Sequence, residues 1–190
     1  MHNDHRVVSS ESEELILVDH DDREIGFLSK AESHDGGGVL HRAFSLFLFN
    51  ADGELLLQKR GSDKRLWPGF WSNSCCSHPR RGETMEVATR RRLRDELNIE
   101  SQLEFIYKFF YTAEFGADGS ENELCHVYLG RIGDSVRPND REIDSIRYEL
   151  PQDLTRELAE RPTQFTPWFK QEWQTLLQAH ADELAKYSQV

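Results

Sequence analysis

Three cysteines, two methionines and six lysines among 190 residues are what this chain is short of. So few thiols, two of them adjacent, build no disulfide framework, which points to a reducing compartment, and a cytoplasmic location is expected. Thirty-four acidic against twenty-three basic residues leave a formal net charge of −11. That deficit of positive charge excludes nucleic acid as the main partner, because a phosphate backbone needs a basic face. No stretch approaches the roughly 18 apolar residues of a membrane-spanning helix, so no membrane partner is expected. Met1 to Glu14 carry no apolar segment, so neither a signal peptide nor an anchor is expected there. Residues 1–13 read as a polar, flexible leader. No internal repeat, low-complexity tract or linker divides the rest, so residues 14–190 are expected to form one domain around a sizeable core. A monomer is the expected state.

The basic residues that are present crowd the stretch from Lys59 to Arg94, while both ends are acidic. A local basic patch on an acidic protein suits a small anionic ligand better than a polymer. The pattern of elements is mixed α/β. Leu15 to Val18 and Ile25 to Leu28 read as a hairpin, and Gly36 to Gly38 as a mobile loop between His34 and His41. Ala43 to Phe49 is too apolar to alternate and reads as a central buried strand, with Glu54 to Lys59 following a turn. Glu83 to Leu97 reads as the clearest helix, ended by Asn98. Leu103 to Tyr111, Glu123 to Arg131 and Ser145 to Leu150 read as strands. Pro151 to Glu160 and Pro167 to Tyr187 read as helices that begin on proline.

Two segments carry the chemistry: Cys75-Cys76-Ser77-His78-Pro79 and Glu121-Asn122-Glu123. Strand alternation puts Glu121, Glu123 and Cys125 on one face, so the two carboxylates can share an ion. With His34, His41 and His78 they offer three nitrogen and two carboxylate donors, a mixture that suits Zn, Mn or Fe, whereas Mg and Ca prefer oxygen throughout. Five donors exceed the four of a structural zinc site, so a five- or six-coordinate ion is the better guess. Taken singly, a Glu-x-Glu pair is usually a solvated strand edge and a histidine usually a surface residue; the combination carries the weight. Cys76 sits among polar neighbours beside His78, where a metal and basic groups tune a thiol, while Cys75 points to the opposite face and reads as packing. Glu96 has two readings, an Arg92–Glu96 pair or a carboxylate that holds Mg²⁺ against a diphosphate, with Lys30, Arg60 and Lys64 on the phosphate oxygens.

The run Trp71 to Pro79, the Arg92-Leu93-Arg94-Asp95-Glu96-Leu97 helix end, Glu121-Asn122-Glu123-Leu124-Cys125 and Phe165-Thr166-Pro167-Trp168 closely resemble the type 1 isopentenyl-diphosphate Δ-isomerases of the Nudix-fold superfamily. The resemblance runs from about Leu15 to the C-terminal helix. It implies an α/β fold, a Nudix-type α/β/α sandwich with a mixed β-sheet, and the interconversion of isopentenyl and dimethylallyl diphosphate in isoprenoid precursor biosynthesis. It implies Mn²⁺ or Zn²⁺ on His34, His41, His78, Glu121 and Glu123, and Cys76 and Glu123 as the catalytic pair, with Tyr111 bonded near the carboxylate and Trp168 facing the hydrocarbon. Glu96 and the Cys76 carbonyl are implied to hold a substrate-bound Mg²⁺, and Lys30, Arg60, Lys64 and Ser77 to contact the diphosphate. The substrate expected is thus a small prenyl diphosphate.

Nudix hydrolases carry G-x5-E-x7-R-E-U-x-E-E-x-G-U. Aligned on Asp95-Glu96, this chain has Ser77 for the first glycine, Arg92 for a metal-binding glutamate and Asn98 for the last glycine. Arginine there removes a ligand and adds a like charge, which damages the alternative of a Nudix pyrophosphohydrolase. A non-catalytic zinc-binding domain, the other alternative, leaves Cys76, Tyr111, Trp168 and the basic patch unexplained.

Overall fold

The computed structural model describes residues 7–133 and 135–188. Strands β1 (Glu14–Val18) and β2 (Glu24–Ser29) form the expected hairpin. At its turn the Asp19 carboxylate accepts the N–H groups of Asp21 and Arg23, each at 2.9 Å. A short helix, α1 (Lys30–His34), follows; sequence reasoning gave no sign of it. Ser29 and Glu32 close a capping box at its start, which satisfies two otherwise orphaned N–H groups.

Strand β3 (His41–Phe49) is the hub of the sheet. It pairs antiparallel with β1, with β4 (Leu55–Arg60) and with β6 (Cys75–Ser77), which follows the two-residue β5 (Trp71–Ser72). Helix α2 (Met85–Arg92) starts two residues inside the expected Glu83, because Thr84 caps it by accepting the Val87 N–H. Its last turn, Leu93–Leu97, widens to a π-helix and stops at Asn98, whose φ of 54° is the left-handed conformation that asparagine tolerates. Strands β7 (Leu103–Glu114) and β8 (Ser120–Arg131) are longer than expected, and β8 runs parallel to β3 over nine residues. Strand β9 (Ile143–Glu149) adds to β4. Helices α3 (Pro151–Glu160), α4 (Pro167–Ala179) and α5 (Ala181–Ala185) close the described chain. The single C-terminal helix expected is two, broken at His180, whose ring stacks on Tyr107 at 4.9 Å and 4°.

Because β3 is buried on both faces, its side chains divide by parity. Phe44, Leu46 and Leu48 pack with Ala88, Leu93 and Leu97 under α2. Ala43, Phe47 and Phe49 pack with Phe169, Trp173 and Leu176 of α4. Each such side chain contributes about 2 kcal/mol by leaving water. The result is an α/β/α sandwich with a mixed sheet. One polar side chain, Ser45, lies on the α4 side of this run. Residues 1–6 of the expected leader lie outside the described residues. Residues 8–13 lie on the domain: the Val8 carbonyl accepts from Arg92 at 2.7 Å and Arg80 reaches Glu13 at 2.5 Å.

Candidate active site

Strand register assembles the site. His41 of β3 is directly opposite Glu123 of β8, and Tyr111 of β7 is opposite the same glutamate from the other side. Ser45 is opposite Cys76. Glu121 is two residues before Glu123 and so shares its face. His34 arrives from the end of α1. There a Cβ at Gly119 would sit 2.3 Å from the His34 carbonyl oxygen, so only glycine allows the β7–β8 turn to approach this closely. The Gly36–Gly38 loop, expected to be mobile, is hydrogen-bonded to β8: Ser120 donates to the Gly36 carbonyl at 2.7 Å and Asn122 to that of Gly38 at 3.3 Å.

The structure brings all five predicted ligands together. Their donor atoms lie within 4.8 Å of one another. His34 Nε2 is 2.9 Å from Glu121 Oε2, His78 Nε2 is 2.7 Å from Glu123 Oε1, and His41 Nε2 is 3.6 Å from that same oxygen. The donor set passes a physical test for a cation. His34 Nδ1 bonds the Lys30 carbonyl at 2.6 Å and His41 Nδ1 the Val39 carbonyl at 2.7 Å. A carbonyl only accepts, so each Nδ1 carries the proton and each neutral ring turns an Nε2 lone pair toward the carboxylates. Lone pairs facing lone pairs repel unless a cation or a proton stands between them. Among the described residues, His41 Nε2 and Glu121 Oε2 are buried and make no hydrogen bond. In keeping with this, burial alone would lower His34, but the Glu121 carboxylate overrides it and raises the group to about 9. Burial, with His41 and His34 beside it, pushes His78 well down.

One cavity is lined by His34, His78, Glu121 and Glu123, by Cys76, Tyr111 and Trp168, and by Lys30, Arg60, Lys64 and Ser77. The Cys76 thiol is pushed up to about 12 by burial, more than the Arg60 guanidinium, 3.7 Å away, lowers it, so it holds its proton at neutral pH. Burial would raise Glu123 too, but the His41 ring beside it and the Tyr111 hydroxyl keep it below the usual carboxylate range. Tyr111 donates to Glu123 Oε2 at 2.5 Å. Trp168 is 2 % exposed, its indole N–H bonded to Ser72 at 3.1 Å, so its ring is fixed as a wall. Arg60 lies over that ring at 5.2 Å and is held by the Leu66 carbonyl at 2.8 Å. Lys30 touches Ser9 at 3.1 Å and Glu11 at 2.6 Å.

Glu96 stands apart. It is 2 % exposed and does not line the cavity; its Oε1 accepts from Arg92 Nε at 2.8 Å and from the Cys75 thiol at 3.4 Å. Arg92, itself buried, lines the cavity and also reaches Glu142 at 3.3 Å. Glu142 pairs with Lys64. Glu142, Ser45, Ser9 and Glu11 were not singled out from sequence. Ser45 had a legible signal, a lone polar residue inside an apolar run; the other three are joined to the site only by tertiary contacts.

The NUDIX domain family matches residues 39–169. Isopentenyl-diphosphate Delta-isomerase 1 of Photorhabdus laumondii is 39% identical over 174 residues, covering 90% of this chain and 99% of its own. The isopentenyl-diphosphate Delta-isomerase of Burkholderia multivorans is 42% identical over 157 residues, covering 83% and 89%. Among solved structures, DR0079 of Deinococcus radiodurans superposes with a TM-score of 0.65 at 25% identity, covering 78% of this chain and 90% of its own. The MutT protein of Methanosarcina mazei, at 14% identity and a TM-score of 0.62 over 74% and 95%, shares the fold.

Proposed function

The chain belongs to the NUDIX domain family and, within it, to the isopentenyl-diphosphate Delta-isomerases; from that premise we propose that Cys76 and Glu123 are its two proton carriers. The enzyme transposes a carbon–carbon double bond, so one carbon must gain a proton and another must lose one. An unactivated alkene is a poor base, and its protonation leaves a carbon close to a tertiary cation. The observation that carries the reading is that a thiol, a carboxylate and a fixed indole face line one cavity, with burial raising the thiol and His41 and Tyr111 lowering the carboxyl.

In one direction the thiol delivers its proton to the alkene, the carboxylate takes a proton from the neighbouring carbon, and that C–H electron pair becomes the new double bond. The reverse direction exchanges the roles. Tyr111 holds the Glu123 oxygen in place. The Trp168 face stabilises the cation, by up to about 2 kcal/mol in a dry site. His34, His41, His78, Glu121 and Glu123 would hold Mn²⁺ or Zn²⁺, whose charge keeps Glu123 ionised and oriented. Lys30, Arg60, Lys64 and Ser77 are the proposed diphosphate contacts; Glu96 and the Cys76 carbonyl would hold Mg²⁺ brought by the substrate, for which Glu96 must give up its pairing with Arg92. Holding both ends of the diphosphate also discourages its loss as a leaving group.

The three cysteines are free, which supports a cytoplasmic protein, and no helix among the described residues is long and apolar enough to cross a membrane. We propose that it acts as a monomer on a small prenyl diphosphate. Turnover of isopentenyl diphosphate in deuterated water tests the chemistry. Solvent deuterium is expected in the carbon skeleton of both isomers; unlabelled carbon after full equilibration would rule out the proton-transfer route.

A further inference from the structure

Glu172 is a charged residue type placed where the core should be apolar. It lies on α4 one turn after Trp168, so both side chains project from the same helix face toward the sheet. It is 0 % exposed. Its Oε1 accepts from the weak Cys125 thiol, at 3.5 Å, and among the described residues its Oε2 has no hydrogen-bond partner. The Cys125 thiol also lies 3.5 Å from the Ser45 hydroxyl. Ser45 is the polar residue of β3 that lines the cavity, cross-strand from Cys76. A buried carboxyl left half-satisfied costs stability, and a leucine would pack this helix face better. Glu172 therefore stands behind the part of the cavity wall that Ser45 lines.

We propose that Glu172 is a positioning residue for the isomerisation: a buried carboxyl that, through Ser45, makes the cavity wall electronegative beside the carbon that becomes cationic. The inference rests on the carbocation reading above. Opposite charges attract most strongly where water is excluded, so a carboxylate one side chain removed from the cavity still acts on a cation inside it. Burial, more than the easing effect of Ser45 and Cys125, raises this carboxyl to about 8, with Glu123 adding to the rise. A positive charge in the cavity draws it toward its ionised form. The titratable or polar groups beside it are Cys125 on β8 and Ser45 on β3, and Cys76 on β6 and Glu123 on β8 act on it through space. Tyr107 on β7 donates to the Glu172 backbone carbonyl at 3.2 Å.

The test compares two inert ligands on the metal-loaded protein: a diphosphate with a quaternary ammonium in place of the cationic carbon, and its uncharged carbon isostere. Their affinity ratio cancels everything the diphosphate contributes. The wild type should prefer the ammonium, and the preference should grow as pH rises through about 8. In Glu172→Gln, which keeps shape, the preference should fall about tenfold at pH 9 and lose its pH dependence, with KM for isopentenyl diphosphate and metal content unchanged. Ser45→Ala should weaken the same preference, and serves if the first variant does not fold. A Glu172→Gln protein with the wild-type ratio and slope would overturn the role of Glu172. A wild type that binds both ligands alike at every pH would instead overturn the carbocation reading, and this inference with it.

Discussion

Two buried charged clusters flank the same cavity, and they are finished differently. Around Arg92 each charge meets its opposite: Glu96 and Glu142 take the guanidinium, and Glu142 also takes Lys64. Around the histidines, His41 Nε2 and Glu121 Oε2 make no hydrogen bond among the described residues. A network whose charges compensate one another can saturate its hydrogen bonds, and gains stability by doing so. A site built to receive a cation must withhold some of its donors, and accepts the cost. The same contrast separates this chain from a Nudix hydrolase, since Arg92 stands where the hydrolase pattern has a metal-binding glutamate.

The largest expected effect is on the saturated cluster. Arg92→Ala leaves two buried carboxylates uncompensated and should destabilise the protein by about 3–5 kcal/mol in chemical denaturation; a loss below about 1 kcal/mol would mean that the cluster is solvated and the contrast false. Cys76→Ser should lower turnover at least about 10²-fold, the low end for losing a positioned acid or base, while folding and metal content stay intact. Cys75→Ser should cost far less, because Cys75 faces Glu96 and the α2 side of the core. Equal losses at the two neighbours would remove Cys76 from the mechanism.

At the unsaturated cluster, Glu121→Gln keeps shape but removes a charge, and should weaken Mn²⁺ or Zn²⁺ binding by about 10–100-fold, in line with disturbing a metal's ligand environment. Full metal content and full rate in that variant would break the five-ligand assignment. The smallest effect sharpens the comparison by pH in metal-free protein. Burial would raise Glu142, but Lys64 and Arg92 hold it at about 2, so its folded value lies below its unfolded one. Its contribution is present above about 4.5 and is lost as pH falls toward 2. His34 is raised by Glu121 to about 9, so its contribution is present below about 6.5 and is lost as pH rises through 9. Thermal melts should show Arg92→Ala flattening the acid side and Glu121→Gln the alkaline side; the reverse pattern would assign the charges to the wrong clusters.

How much of this was legible depended on whether local chemistry or distant contact decided the position. Ala43 to Phe49 read as a buried strand because a continuous apolar run has few other uses. The five donors read as a set because three histidines and two alternating glutamates are a rare combination, and the fold does place their donor atoms within 4.8 Å of one another. Glu142 did not read, because what joins it to Lys64 is a loop held from afar, with Asn139 N–H on the Glu96 carbonyl at 2.8 Å and Gly61 N–H on that of Glu142 at 2.9 Å. Helix α1 was missed because five residues carry no periodicity. The break at His180 was missed because a tertiary ring stack decides it.

The central claim is that this site moves a double bond and leaves the diphosphate whole. Purified, metal-loaded protein with Mg²⁺ and isopentenyl diphosphate, assayed in one sample for dimethylallyl diphosphate and for released phosphate, tests it most directly. The account predicts conversion to an equilibrium mixture of the two isomers with no stoichiometric phosphate. Rapid release of phosphate or of a prenyl monophosphate, without dimethylallyl diphosphate, would contradict it.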